Sequence, residues 1–333
     1  MTEIITGDAR SRPPLVVGVD VGGTKTAAAV VDAQGRLFGR TQTATQLGGA
    51  HQTLRGVADT IRATIAAAGV ALSDITAVGL GVPGKVDPAR GLGVYSVNVG
   101  WHDAPVVAYL SDALGLPCAV ENDVGAAALG ESHYGAGRGL ASMVYLSLGT
   151  GIAARLVLDG KLYRGVSGLA GEIGHTVFDP QGPVCKCGAR GCLEAIASGP
   201  GIAALGQAAV DAWAATMLGE MAADAGGAVT TRMVFEAAAA GDAVAQGIVD
   251  TTGATLAEAI QQLIMFFDPQ LVVLGGGLTA VGDALAAPIY RSLAERAAVS
   301  TTFAEMYAPE KVRLTALGTD VAILGAAALV ASS

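Results

Sequence analysis

The sequence predicts an α/β protein of two domains, each a wound sheet with helices packed on its faces. Three observations carry the prediction. A chain of 333 residues exceeds the usual span of a single hydrophobic core. Apolar runs of strand length alternate with helical stretches through most of the chain. The opening pattern of strand, glycine turn and strand, VDVGGTKT, returns as SLGTGIAA, which reads as one supersecondary device used twice. Composition agrees, because 52% hydrophobic residues, 15% charged residues and 47 glycines suit a folded α/β protein and argue against disorder.

The elements follow in order. Residues 1–14, MTEIITGDARSRPP, mix acidic and basic groups and read as a flexible tail. LVVGVD is a buried strand, VGGTKT a tight turn, and AAAVVD and GRLFGRTQT two more strands of a meander. A helix from about His51 to Ala68 leads to strand ITAVGLGV and the turn PGKVDP. An irregular segment then runs to Asp103, followed by a helix to about Leu114 and strand PCAVE, which closes a small domain at 15–121. The larger domain, 122–319, opens on a helix from about Asp123 to Tyr134 and continues through strands ASMVYLSLG, IAARLVLDG and KLYRG. A cysteine-rich loop, 175–192, precedes Ala-rich helices, the longest from about Ala243 to Phe267 with its stop at Asp268-Pro269. Strand QLVVLGGG, a helix from about Val281, strand KVRLTAL and a last helix, VAILGAAALV, complete the chain.

A net charge of −9 and the lack of any Lys/Arg run make nucleic acid a poor partner. The first residues lack the apolar core of a secretory signal, and no stretch approaches the roughly 20 apolar residues of a membrane span, so a cytoplasmic protein with no membrane partner is expected. Three of the four cysteines form C-x-C-x4-C, a spacing that suits metal binding in a reducing compartment better than a disulfide framework. Cys118, alone in LPCAVE, reads as a buried strand residue.

Four groups of residues carry chemistry. Gly22, Gly23, Thr24 and Lys25 directly follow a strand, so amides free of a Cβ could face an anion with a hydroxyl and an ammonium beside them. A β-hairpin needing positive φ accounts for the same glycines. The echo at Gly149, Thr150 and Gly151, and the cluster Gly275, Gly276 and Gly277, favour the phosphate reading, because a nucleotide needs several close backbone approaches. Asp123 lies at a strand-to-helix turn, the edge where α/β ligands bind, and reads either as an N-cap or as the acceptor of a substrate hydroxyl proton. His175, Cys185, Cys187 and Cys192 offer one imidazole and three thiolates, a closed tetrahedral set suited to structural zinc. Zinc there would pin two loop ends and present Glu172 and Glu194 to one site. With Asn98, Asn122 and Asp123 these make a set rich in acceptors and amides, which suits a neutral polyhydroxyl ligand such as a sugar.

DVGGTKT, GVPGKVD, NVGW, ENDVGAAALGE, LGTG, GEIGH, CKCGARGCLE and LGGG together resemble the ROK family of bacterial sugar kinases and repressors, from about Val16 to the end. The resemblance implies the actin/hexokinase-like ATPase fold, ribonuclease H-like with duplicated mixed sheets, in which a C-terminal helix, 320–333, returns to the first domain. It implies Asp123 as general base and Asn98, Asn122, Asp123, Glu172, His175 and Glu194 as sugar ligands, His175 also binding zinc with the three cysteines. The turns at Gly22 and Gly149 would hold ATP phosphates, and Gly276 and Gly277 would lie near the adenosine. Two departures stand out: Gly125 where the family commonly has END-x-N-A, and Ala153, Ala154 and Arg155 where it has GTGIGGG.

The expected function is ATP- and Mg²⁺-dependent phosphorylation of a hexose 6-hydroxyl, with glucose the expected sugar because Glu172 in GEIGH is kept. N-acetylmannosamine or N-acetylglucosamine is the alternative acceptor. A sugar-responsive repressor is disfavoured by the roughly 15 residues before the first strand, too few for a DNA-reading module. A non-catalytic sugar-binding protein is the other rival, and a homodimer or homotetramer is implied by the resemblance.

Overall fold

The structure, a computed structural model, describes residues 14–212 and 216–331. The expected tail at 1–14, Pro14 apart, and the last two residues of the expected terminal helix lie outside that range. The chain divides into two compact units, one of residues up to Gly130 with Asp320 onward, the other Glu131–Thr319. Each has its own core.

In the first unit the β-branched run Leu15–Val21 (β1) is flanked by Lys25–Val31 (β2), which pairs in turn with Leu37–Ala44 (β3), and on its other side by Ile75–Val82 (β4). Helix Ala50–Ala67 (α1) sends Leu54, Val57 and Ile61 into the core with Val17, Val19, Val78 and Leu80, an i, i+3, i+7 stripe on a two-residue strand repeat. The segment 85–104, expected to be irregular, instead forms a small antiparallel sheet of Lys85–Asp87 (β5), Leu92–Ser96 (β6) and Trp101–Ala104 (β7). Strands of three to five residues are too short to show a period, and burial of Trp101 holds this sheet in place. Val106–Leu114 (α2), Cys118–Asn122 (β8) and Asp123–Tyr134 (α3) follow, the units dividing within α3. Cys118 opens β8 half-buried.

The second unit begins with Ser142–Leu148 (β9), Ile152–Leu158 (β10) and Lys161–Leu162 (β11). After the cysteine loop come helices Leu193–Ala197 (α4), Gly199–Ala212 (α5), Met217–Asp224 (α6), Thr231–Ala239 (α7) and Ala243–Phe267 (α8), the last capped by Asp242 through the Val244 and Ala245 amides. Leu271–Gly275 (β12), Asp283–Val299 (α9), Thr301–Met306 (α10) and Val312–Leu314 (β13) complete it. The helix expected from about Val281 is first a 3₁₀ turn, Gly277–Val281, because Gly282 at φ 60 breaks the path into α9.

The two sheets repeat one topology. Their strand orders are β3-β2-β1-β4-β8 and β11-β10-β9-β12-β13, each a three-strand meander extended by two parallel strands beyond the first. The fold class is thus the duplicated α/β arrangement the sequence predicts. Val321–Ala331 (α11) returns to the first unit, against β1 and β4. Its approach is backbone on backbone: a Cβ on Gly79 would lie 1.7 Å from the Ala326 carbonyl oxygen, so this stretch of β4 tolerates no side chain.

Candidate active site

The first unit gathers one group of polar residues at the C-terminal ends of β1, β4 and β8. Asn122 closes β8, and its Oδ1 accepts from the amides of Val124 at 3.1 Å and Gly125 at 3.2 Å. Those are the second and third helical residues, so Asn122 is the N-cap and Asp123 the first residue of α3. The capping reading of Asp123 therefore passes to its neighbour, and Gly125 supplies a cap donor through its backbone. Asn122 Nδ2 donates to Asp123 Oδ1 at 2.8 Å and to the Gly84 carbonyl at 3.0 Å, tying the helix start to the turn before β5.

Asp20, at the end of β1, is the residue sequence reasoning missed here. Burial, reinforced by the Asp123 carboxylate and opposed by Lys25, pushes its pKa up to about 6. The available signal was a lone acid closing an apolar strand just before a glycine turn. That turn is a hairpin, with the Gly22 amide donating to the Lys25 carbonyl at 2.8 Å, but neither Gly22 nor Gly23 adopts positive φ. Gly23 is small for a different reason: a Cβ there would meet the Asn98 carbonyl oxygen at 3.0 Å. Asn98 thus lies against the Gly22–Lys25 turn, which leaves Thr24 and Lys25 exposed.

The second unit carries the metal-type ligands and the other glycine turn. The ligand atoms of His175, Cys185, Cys187 and Cys192 all lie within 4.8 Å of one another. His175 Nδ1 is 3.7 Å from Cys185 Sγ, and Cys187 Sγ is 3.7 Å from Cys192 Sγ. Tetrahedral zinc with Zn–S bonds of about 2.3 Å places neighbouring sulfurs about 3.8 Å apart, so the set fits that ion. Burial and the neighbouring thiols push Cys192 up to about 12, while hydrogen bonds led by the Ala189 amide lower Cys187. A divalent cation would reverse the first effect by stabilising all three thiolates.

The same loop positions the two glutamates. The Leu193 amide donates to the Thr176 carbonyl at 3.0 Å, so α4 starts beside the short turn that bears His175. Glu194 Oε2 accepts from the Ile152 amide at 3.1 Å and lies 2.7 Å from where a Cβ on Gly151 would stand. Gly151 is therefore glycine because a carboxylate occupies its side-chain space. Glu172 Oε1 accepts from Arg155 Nη2 at 2.8 Å, so Arg155 turns to the Glu172 segment rather than to the glycine turn.

Gly149 and Thr150 open onto a cavity of about 900 Å³ with Gly277. Gly199, the first residue of α5, donates its amide to the Gly149 carbonyl at 2.9 Å and lines the same space. Phe235, Leu278 and Val281 supply an apolar wall and Arg232 a cation, none of them marked by a sequence motif. Gly276, at φ 89, packs over the Leu148 backbone and brings Gly277 to the turn. The expected residues thus form two groups: Gly22–Lys25, Asn98, Asn122 and Asp123 in the first unit; Gly149–Gly151, Gly276, Gly277, Glu172, Glu194 and the metal set in the second. No helix among the described residues is long and apolar enough to cross a membrane.

Comparison with known proteins accords with this arrangement. A glucokinase of Halalkalibacterium halodurans is 36% identical over 323 residues, 94% of either chain. An N-acetylmannosamine kinase of Citrobacter koseri is 36% identical over 287 residues, 85% of this chain and 90% of the relative. A crystal structure of a ROK family glucokinase from Streptomyces griseus, in complex with glucose and AMPPNP, superposes with a TM-score of 0.77 at 33% identity, covering 96% of this chain and all of that one. The sequence matches the ROK family from residue 16 to residue 333: the chain belongs to the ROK family.

Proposed function

We propose that the protein is an ATP-dependent hexose kinase that transfers the γ-phosphoryl group of ATP to the 6-hydroxyl of glucose. The observation that carries this reading is the seat of Glu194 in the side-chain space of Gly151. A carboxylate suited to a sugar hydroxyl and a turn suited to a phosphate share one wall, as transfer between the two requires. The cavity beyond Gly149 would take the nucleotide, with the amino end of α5 adding favourable potential for phosphate.

Asp123 is assigned as the general base. It accepts the proton of the sugar 6-hydroxyl as the O–P bond forms and the bond from phosphorus to the β-phosphate oxygen breaks, releasing ADP. Asn122 caps α3 and donates to the Asp123 carboxylate, holding it in one orientation. Asn98, Asn122, Glu172, His175 and Glu194 are assigned to sugar hydroxyls. The pairing of His175 Nδ1 with Cys185 leaves Nε2 for the sugar. Mg²⁺, when bound with the nucleotide, neutralises charge on the transferred group; Asp20 and Asp123, two carboxylates that burden each other, are the side chains such a cation would relieve. Zinc at the Cys₃His set would hold the sugar-binding loop. The same reading has the protein in the cytoplasm, as a homodimer or homotetramer.

A second reading, a kinase of an N-acetylhexosamine (N-acetylmannosamine or N-acetylglucosamine), is favoured by an N-acetylmannosamine kinase being as similar, at 36% identity, as a glucokinase. One coupled assay with MgATP across glucose, mannose, fructose, allose and the two N-acetylhexosamines decides between them. Glucose should give the highest kcat/KM, and absence of any sugar phosphate would sink the kinase reading. In that assay Asp123→Asn should lower kcat by roughly a hundredfold or more with little change in sugar affinity.

A further inference from the structure

Arg155 departs from the ROK pattern and lies on the strand that leaves the second glycine turn, yet its head group is spent elsewhere. Its side chain is only 7% exposed. Nη1 donates to the Ala154 carbonyl at 2.8 Å and the Ala170 carbonyl at 3.1 Å, and Nη2 to Glu172 Oε1 at 2.8 Å. Glu172 is 35% exposed, so one carboxylate oxygen meets the guanidinium while the group as a whole still opens to solvent. The backbone adds a further link, since the Ala154 amide donates to the Gly171 carbonyl at 2.8 Å. Segment 170–172 is thus held along β10, its one acidic side chain locked by a buried cation.

We infer that Arg155 is a positioning residue for the sugar site: by occupying Oε1 of Glu172 it fixes the carboxylate so that Oε2 accepts a sugar hydroxyl. This rests on the proposed sugar-binding role of Glu172. A half-exposed glutamate otherwise samples several rotamers, and ordering it on binding costs affinity that prior fixation removes. The planar guanidinium is suited to the task because it bonds two carbonyls and a carboxylate at once. Arg155 lies four residues beyond Gly151 and its head group meets residues 170 and 172, so its effect falls on the sugar and not on the nucleotide.

The test is steady-state kinetics of the full-length, zinc-loaded protein with Arg155→Met and Arg155→Lys. In Arg155→Met the KM for glucose should rise about threefold to tenfold, the cost of ordering one freed side chain on binding. The KM for ATP and kcat should stay within about threefold. Arg155→Lys, which keeps the charge without the fork, should fall between wild type and Arg155→Met, and it carries the comparison alone where Arg155→Met does not fold. In a double-mutant cycle with Glu172→Gln the two effects on glucose affinity should be clearly less than additive. An unchanged KM for glucose, a KM for ATP that rises in step with it, or full additivity with Glu172→Gln would each overturn the assignment. Calorimetric binding of glucose is measured in parallel. A wild type that binds glucose without turnover defeats the kinase reading, yet the same variants still test Arg155 through glucose Kd.

Discussion

At Asp20 and Asp123 two acids occupy the ends of neighbouring elements, and stability is set against chemistry. Asp20 has its pKa raised from 3.8 to about 6, so the folded state holds its proton more tightly than the unfolded chain does. The stabilisation this gives is full below about pH 4 and is lost as pH rises through about 6, an effect on the order of 3 kcal/mol for the first unit. Asp20→Asn should therefore raise the unfolding midpoint at pH 7.5 and change it little at pH 4. Urea titrations at the two pH values check this, and an equal shift at both would mean that the carboxylate is not strained. On the proposed role of the two carboxylates toward a nucleotide-bound Mg²⁺, activity should be lost in the same variant.

Among elements, the cysteine loop has the clearest division of labour. Cys185 and Cys192 are buried and Cys187 is exposed, yet all three face His175. Val177 and Val184 of the loop are exposed, so a bound metal would be its main cross-link. Stripping zinc with a chelator should raise the KM for glucose at least about tenfold while the Kd for a non-hydrolysable ATP analogue changes by less than about threefold. Metal content is measured alongside; protein that contains no zinc as purified and still binds glucose tightly would refute this role of the metal. The contact of α11 with β4 is fixed differently, by a backbone approach at Gly79 that a single methyl would prevent.

For the whole molecule, two cores imply two partly independent folding units. The cavity assigned to the nucleotide is lined wholly by residues of the second unit. A non-hydrolysable ATP analogue at a hundred times its Kd should add about 2.7 kcal/mol to the stability of that unit. Differential scanning calorimetry reads this as a selective rise of one transition, and no rise at saturation would remove the nucleotide from this cavity.

Much of this was legible in the sequence, because local rules suffice for it. Apolar run length and glycine punctuation specify β1, β4, β9, β12 and their turns, and the repeat of strand and turn announces the duplicated sheet. The ligand chemistry of one histidine and three cysteines marks the metal loop without reference to packing. The tertiary structure decided what depends on distant neighbours. It made Asn122 rather than Asp123 the cap, since hydrogen-bond direction cannot be read from composition. It raised Asp20 through burial and a carboxylate about a hundred residues away in the chain, and turned Arg155 from the glycine turn to Glu172. Strand and turn formation obeys near-neighbour sterics and burial periodicity, which sequence carries directly; the pairing of charges is settled only when the fold brings remote side chains within a few ångströms.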